Sequence, residues 1–135
     1  MNEAGVLLDT SVVIDFLRQK DKKSTWFYFL AKTENKLAIS ILTHTELYSG
    51  KQIWKNLKAR NELKDLLSNM GILSLNQSTS ELGGKFRSKI QIDLADAVIA
   101  ATAIENKLPL ATFNRKHFGK IAGLRLVKNV LVYKN

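Results

Sequence analysis

The sequence has no cysteine among its 135 residues. Disulfide bonds, zinc–thiolate sites and a thiol nucleophile are therefore excluded, and we expect any metal site to use oxygen ligands. No apolar stretch approaches the roughly 20 residues that a membrane-spanning helix needs. The N-terminus carries the acidic residue Glu3, and its apolar run is too short for a signal peptide. We therefore expect a cytoplasmic protein that does not contact a membrane.

Acidic residues are also scarce, because the chain has 12 of them against 21 lysines and arginines, which gives a formal net charge of +9. This balance favours binding to a polyanion, and nucleic acid is the leading candidate. For any single basic residue, solvation of a helix face is an equally good explanation. The basic residues recur in four segments: Arg18–Lys23, Lys51–Lys64, Lys85–Lys89 and Arg115–Lys116.

The length, with 45% hydrophobic residues, fits a single globular domain over residues 1–135. Strands and helices alternate along the chain, which predicts an α/β fold. Short apolar runs predict strands at Val6–Leu8, Leu37–Ile41, Ile72–Leu75 and Leu108–Thr112. Helices are predicted at Thr10–Gln19, Ser24–Thr33, around Glu46 as far as Gly50, Gln52–Met70 as one continuous helix, Ser78–Lys89 with a capping start at Ser78, and Asp93–Glu105. Two more apolar runs follow at Leu124–Val127 and Val130–Tyr133.

Four carboxylates and one amide stand at positions that a parallel α/β fold would bring together. Asp9 directly ends the first apolar run, whereas Glu46 and Asn114 follow later predicted strands. Asp93 and Asp96 open a predicted helix and share one of its faces. Ligands of open α/β sheets bind beyond the carboxyl ends of the strands, where the connecting loops converge. We therefore expect these five residues at one edge of the sheet.

Such a group of carboxylates points to a divalent cation. Neighbouring carboxylates repel one another unless a cation compensates them, and sites built only from oxygen suit magnesium or manganese. A cation held this way activates water and stabilises negative charge on a phosphate, which agrees with a basic surface that binds nucleic acid. Taken singly, Asp9, Asp93 and Asp96 could instead favour helix N-termini, and Glu46 could merely be exposed. The combination favours the metal site.

Four segments give the chain a resemblance to a known family: Leu7–Leu17, Ala38–Tyr48, Leu94–Ala103 and Leu110–Phe118. In their order and separation they resemble the PIN-domain family and, within it, the VapC-type toxin ribonucleases of toxin–antitoxin pairs. The resemblance implies a three-layer α/β/α sandwich around a mostly parallel central sheet. It also implies metal-dependent cleavage of RNA phosphodiester bonds, a homodimer, and inhibition by a small antitoxin protein.

The resemblance assigns roles position by position. Asp9, Glu46 and Asp96 match the acidic metal-site positions of the family. Asn114 falls where the family often has a fourth acidic or amide residue, and its neutral amide could bind water or substrate. Asp93 lies one helical turn before Asp96. It either supplies the charge missing at Asn114 or only caps the helix.

Hydroxyl and basic side chains surround these positions in the sequence. Thr10, Ser11 and Thr112 could orient a carboxylate or a metal-bound water, and helix or turn capping is an equally good role for them. Arg115 and Lys116 are candidates to position RNA. Because contacts to phosphate carry no base code, the sequence does not identify the RNA that is cut.

Three residues are left out of the predicted site. Asp15 lies six positions after Asp9 on the first helix and therefore points well away from it. His44 and His117 are each isolated histidines, so we interpret them as surface or hydrogen-bonding residues rather than general bases.

Other protein classes fit less well. A receiver domain would need its phosphoacceptor after a later central strand, where the sequence predicts helix, and a haloacid-dehalogenase-type phosphatase would need a second aspartate two places after Asp9. Neither class explains Glu46. The stronger alternative is a noncatalytic PIN-like domain that binds nucleic acid or protein, since Asn114 leaves one metal position neutral.

Overall fold

The computed structural model describes residues 5–34, 36–129 and 131. These residues contain four strands, eight α-helices and a short 3₁₀ helix at Lys22–Ser24. The strands are β1 (Val6–Leu8), β2 (Leu37–Ser40), β3 (Gly71–Leu73) and β4 (Leu110–Ala111). The helices are α1 (Thr10–Arg18), α2 (Trp26–Thr33), α3 (Ile41–Leu47), α4 (Lys51–Lys55), α5 (Leu57–Leu67), α6 (Gln77–Lys89), α7 (Leu94–Glu105) and α8 (Arg115–Phe118).

The four strands form one sheet in the order β3-β2-β1-β4, and every neighbouring pair is parallel. Leu7 of β1 pairs with Ala38 on one side and Leu110 on the other. Beyond β4, Leu126 makes a single parallel bridge to Leu110. Of the apolar run Val130–Tyr133, only Leu131 lies within the described residues. Because all strands run the same way, their carboxyl ends meet at one edge.

Helices cover both faces of the sheet. Since strand side chains alternate between faces, Leu8 of β1 packs into one buried cluster and Leu7 into the other. The first cluster also contains Val12, Trp26, Leu30 and Leu63 from α1, α2 and α5. The second contains Ile99, Ala100 and Ala103 from α7, together with Phe118 and Ile121. This arrangement confirms the predicted α/β/α sandwich, and the full burial of β1 suits a central parallel strand.

The predicted continuous helix over Gln52–Met70 is wrong. The chain breaks at Asn56, which has φ −128° and ψ 102°, between α4 and α5. The Asn56 side chain accepts a hydrogen bond from the Ala59 backbone N–H at 3.0 Å and so begins a new helix. Both pieces remain helical, so this segment still lacks the strand that a receiver domain would need.

Two other helix starts differ from prediction because a different polar side chain caps the helix. Asn76, rather than Ser78, caps α6 by accepting from the Thr79 N–H at 2.9 Å, whereas the Ser78 hydroxyl donates to Glu105. The second helix begins after Thr25, which accepts from the Tyr28 N–H, and not at Ser24. No helix in the described ranges is long and apolar enough to cross a membrane.

The contact between α6 and α7 depends on a small residue at Gly83. A Cβ atom there would lie 3.3 Å from the Val98 Cα and 3.2 Å from its Cγ2, whereas a Cβ at the adjacent Gly84 meets nothing within 4 Å. In an exposed helix interior, Gly→Ala stabilises by about 0.8–1.0 kcal/mol. At Gly83 that gain is opposed by steric contact with backbone of α7, which cannot easily move.

We expect Gly84→Ala to raise the free energy of unfolding by up to about 1 kcal/mol. The free energy of unfolding of Gly83→Ala should be lower than that of Gly84→Ala by at least about 1 kcal/mol, because the added methyl group clashes with α7. Urea unfolding of the two variants measures the difference directly. Equal stabilisation by both substitutions would show that α6 and α7 are not in close contact at Gly83.

Candidate active site

Asp9 occupies the carboxyl edge of the sheet, directly after β1. Its backbone N–H donates to the Ala111 carbonyl of β4 at 2.9 Å, so the residue is anchored between two neighbouring strands. The residue is only 3% exposed. Asp9 is the N-cap of α1, yet its side chain makes no capping hydrogen bond. The carboxylate is therefore not used to cap the backbone of its own helix.

Two hydroxyl groups orient the Asp9 carboxylate. Ser11 Oγ donates to Asp9 Oδ2 at 2.8 Å, and Thr112 Oγ1 donates to the same oxygen at 2.7 Å. Neither bond uses Oδ1. Thr112 Oγ1 also accepts from the Asn114 N–H at 2.9 Å, so it shapes the turn after β4 as well. The orienting and turn-forming roles considered for Thr112 thus occur together.

A third hydroxyl holds Glu46, which is exposed on α3. Thr10 Oγ1 donates to Glu46 Oε1 at 2.6 Å and lies 2.9 Å from Thr43 Oγ1. Since the Thr10 hydroxyl has one proton and gives it to Glu46, the buried Thr43 hydroxyl must donate to Thr10. This chain of bonds fixes Glu46 relative to α1, which begins beside Asp9.

Asp96 lies in the first turn of α7 and is electrostatically coupled to the other acids. The pKa of its carboxyl is raised from 3.8 to about 6, first by burial and then by repulsion from Asp9, Asp93 and Glu46. The side chain of His117 opposes the shift. Asp9 and Glu46, which are distant from Asp96 in sequence, are thus near enough in the fold to act on its carboxyl.

Asp93 lies at the margin of this group. It is exposed and forms the N-cap position of α7, but its side chain makes no capping hydrogen bond. Instead it lines a cavity of about 270 Å³ together with Arg87, Gln91, Ile92 and His117. Helix capping by the side chain, one of the two roles considered for Asp93, is therefore absent from the structure.

The turn after β4 carries the remaining predicted residues. Asn114 is exposed at the start of α8, and its side chain makes no capping hydrogen bond. Arg115 Nη1 donates to the Val127 carbonyl at 3.0 Å, which ties this guanidinium to the C-terminal segment. Lys116 is exposed on the same helix. Of the two basic candidates, Lys116 therefore suits contact with a ligand better.

Residues left out of the predicted site have different positions. The Asp15 carboxylate accepts from Gln19 Nε2 at 3.0 Å, and the rings of His44 and Tyr48 lie 4.9 Å apart on α3. By contrast, His117 is near enough to Asp96 to affect its pKa. Sequence reasoning did not connect His117 to the acids, and it placed Arg87 only within a basic segment. The one sequence signal for His117 is its proximity to Asn114, which it follows by three positions. Arg87 has no such signal.

The donor set fits a hard divalent cation in its chemistry. Its ligands would be carboxylate oxygens, and a cation would offset the mutual repulsion that raises the pKa of Asp96. In the ranges 5–34, 36–129 and 131, however, no three carboxylate or imidazole side chains converge closely enough to bind one ion as they stand. Ion binding would therefore require the carboxylates to move closer together, against the hydrogen bond from Thr10 that holds Glu46.

Comparison with known proteins places this geometry in context. The chain matches the model of the PIN domain over residues 6–124. It is 30% identical over 124 residues to Ribonuclease VapC1 of Methanocaldococcus jannaschii, covering 88% of this chain and 82% of that protein. It is 31% identical over 118 residues to Ribonuclease VapC10 of Mycobacterium tuberculosis, covering 84% of this chain and 85% of that protein. A chain in the solved structure of a toxin–antitoxin complex from Klebsiella pneumoniae superposes with a TM-score of 0.75 at 28% identity, covering 95% of this chain and 100% of that one.

The raised pKa of Asp96 predicts a pH-dependent loss of stability. Because the folded chain binds this proton more tightly than an unperturbed carboxyl with a pKa of 3.8, the stabilisation is present below about pH 4 and is lost as the pH rises to about 6. Asp96→Asn removes the repelling charge. In EDTA at about pH 7.5, we expect it to raise Tm by roughly 3–5 °C, allowing for solvent screening at this half-buried position.

At about pH 4 the two proteins should have nearly the same Tm, since wild-type Asp96 is then largely neutral. The control is Asp65→Asn, an exposed carboxylate of α5 that is not among the groups acting on Asp96. If Asp96→Asn were less stable than wild type at both pH values, the result would contradict the repulsion between Asp96 and its neighbouring carboxylates.

Proposed function

Since the chain belongs to the PIN-domain family, we propose that it is a metal-dependent endoribonuclease that hydrolyses RNA phosphodiester bonds. We propose further that it is the toxin of a toxin–antitoxin pair and that residues 1–135 act as one nuclease domain. The observation that carries the proposal is geometric: the edge of the sheet holds the buried Asp9 carboxylate, oriented by Ser11 and Thr112, and Glu46, which Thr10 ties to the start of α1. The names of the two ribonuclease relatives support the reaction, and both relatives align over more than four-fifths of this chain.

In this proposal Asp9, Glu46 and Asp96 hold one or two magnesium or manganese ions, directly or through water. Asp93 is a further carboxylate at the margin of the same group. A bound divalent ion supplies acidity to a water molecule and positive charge beside the scissile phosphate. Asn114 contributes no charge, and its exposed amide is placed to contact water or substrate.

The chain prepares these ligands through its hydroxyl groups. Ser11 and Thr112 restrain the buried Asp9 carboxylate at Oδ2, and Thr10 restrains Glu46 at Oε1. Such partners hold a ligand in orientation, and losing one typically reduces metal affinity or activity by about 10–100-fold. The hydroxyls therefore act as positioning residues rather than as reacting groups.

The basic residues would hold the RNA backbone. A net charge of +9 provides the electrostatic attraction, and the exposed Lys116 stands on α8, next to His117. Arg115 contributes chiefly by fixing the C-terminal segment at Val127, although its charge remains close to the site. We propose Lys116 as the main phosphate contact of the pair.

We also propose a homodimer and a small antitoxin protein as partners. The superposed Klebsiella pneumoniae chain comes from a toxin–antitoxin complex. In this chain, Trp54 and Leu57 are 62% and 61% exposed, on neighbouring turns of α4 and α5. Exposed apolar side chains of this size are typical of interfaces. We assign these two residues to a protein contact.

Cleavage of a mixed pool of structured RNA by purified, antitoxin-free protein tests the proposed reaction. With magnesium or manganese we expect discrete products, and none with EDTA. Asp9→Asn and Asp96→Asn should each reduce cleavage by at least about 10–100-fold, since each loses a carboxylate that holds the ion directly or through water. Asp65→Asn is the matched control and should cleave like wild type.

Because Asp96→Asn is expected to be more stable than wild type, its inactivity would not reflect unfolding. If folded wild-type protein binds RNA but gives no metal-dependent products, the chain is instead a noncatalytic PIN-like binding domain. The neutral Asn114 is the feature of the site that favours this alternative.

Mass measurement tests the proposed homodimer. At micromolar concentration, native mass spectrometry should give the dimer for wild type and a larger monomer fraction for Trp54→Ser, because an apolar contact is lost. Leu75→Ser is a matched control, since Leu75 is also an exposed apolar residue but lies after β3. A wild-type protein that is monomeric throughout would contradict the homodimer.

A further inference from the structure

The cavity that Asp93 lines adjoins the acidic cluster, and it is open to solvent because four of its five lining residues are exposed. The cavity of about 270 Å³ is lined by Arg87, Gln91, Ile92, Asp93 and His117. Two of these residues, Asp93 and His117, are also among the groups that act on the Asp96 carboxyl. Whatever enters the cavity therefore lies beside the proposed reaction site. The established family membership and the proposed metal ligands leave Arg87 and Gln91 without a role.

The lining residues offer both hydrogen-bond donors and acceptors. The Arg87 guanidinium only donates, the Asp93 carboxylate only accepts, and the Gln91 amide does both. A phosphate group offers acceptors alone and would be repelled by Asp93. A nucleobase, in contrast, offers donors and acceptors on different edges and flat faces for stacking on guanidinium or imidazole groups. Ile92 also lines the cavity but is only 7% exposed, so the exposed polar side chains supply most of the contacts to a ligand.

We propose that this cavity is a subsite for an unpaired guanine next to the scissile phosphate, which gives the nuclease a sequence preference. Guanine O6 and N7 are both acceptors and match the two-pronged donor geometry of arginine. The amino group of guanine is a donor and suits a carboxylate acceptor. Adenine, in comparison, presents a donor where guanine has O6. The inference rests on the proposed ribonuclease activity, and it assigns Asp93 to base recognition rather than to ion binding.

Cleavage of a randomised single-stranded RNA library tests the subsite, with product ends read by sequencing. Wild type should show guanine enriched at one position adjacent to the cut. Arg87→Ala should reduce this enrichment by about 10–100-fold, the usual value of a two-pronged arginine contact to guanine. Arg87→Lys should lose the enrichment too but keep overall cleavage closer to wild type, because lysine retains the charge without the planar fork.

The matched control is Lys89→Ala, which removes the same charge from the last turn of α6 without lining the cavity. It should keep the guanine enrichment. If wild type has no base preference next to the cut, the inference is overturned. It is also overturned if Arg87→Ala lowers cleavage equally at all sequences, because that is the behaviour of a phosphate contact.

Binding of guanosine, measured without cleavage, separates this inference from the proposed function. In NMR titrations, guanosine should shift the Gln91 side-chain amide and the Ile92 methyl signals of wild type, adenosine should shift them less, and Arg87→Ala should abolish the difference. If the protein cleaves no RNA but shows these shifts, the result supports the base subsite and contradicts the ribonuclease activity. If it cleaves RNA without guanine enrichment and guanosine shifts neither signal, the result supports the ribonuclease activity and contradicts the subsite.

Discussion

Parallel pairing of β1 with strands on both sides is the constraint on which the site depends. It buries β1 completely, which requires apolar side chains on both of its faces. It also brings the ends of β1, β2 and β4 to one edge, where the Asp9 N–H bonds to the Ala111 carbonyl. Since α3 and α7 pack close to this edge, Glu46 and Asp96 reach the same space. The site is thus a consequence of strand direction.

Gathering carboxylates in this way destabilises the folded chain. Burial and three neighbouring acids raise the pKa of Asp96 to about 6, which means that its charged form is destabilised. Around Asp9, hydroxyl donors from Ser11 and Thr112 compensate part of the burial. In the proposed function, a bound divalent ion would offset this repulsion. Stability and the proposed activity therefore make opposite demands on Asp96.

The edge of the sheet also divides into two chemical environments. Around Asp9 and Glu46, the structure offers carboxylates held by hydroxyls, as a metal ligand set requires. Around Arg87 and Gln91, it offers mixed donors and acceptors in a cavity. Asp93 stands where the two meet. A nuclease that both cuts a phosphodiester and reads a base needs such a division, because phosphate contacts alone carry no sequence information.

The local sequence predicted the strands and most helices well. It failed where an asparagine side chain caps a helix and thereby sets where that helix begins. Asn56 splits the predicted helix because its side chain satisfies the N–H of Ala59, and Asn76 displaces Ser78 as a cap for the same reason. Periodicity of apolar residues does not report this competition. Helical spacing over residues 52–70 was compatible with one helix or with two.

Residue type and local spacing were enough to predict the strand pattern, to exclude thiol chemistry, and to show the excess of positive charge and the acids that follow predicted strands. Which of these groups meet depends on the packing of distant segments. Thr112 donates to Asp9 across 103 positions of the chain, and Arg87 shares a cavity with His117. Such contacts depend on how helices pack on the sheet, and packing sets distances to within a fraction of an ångström that no local pattern encodes.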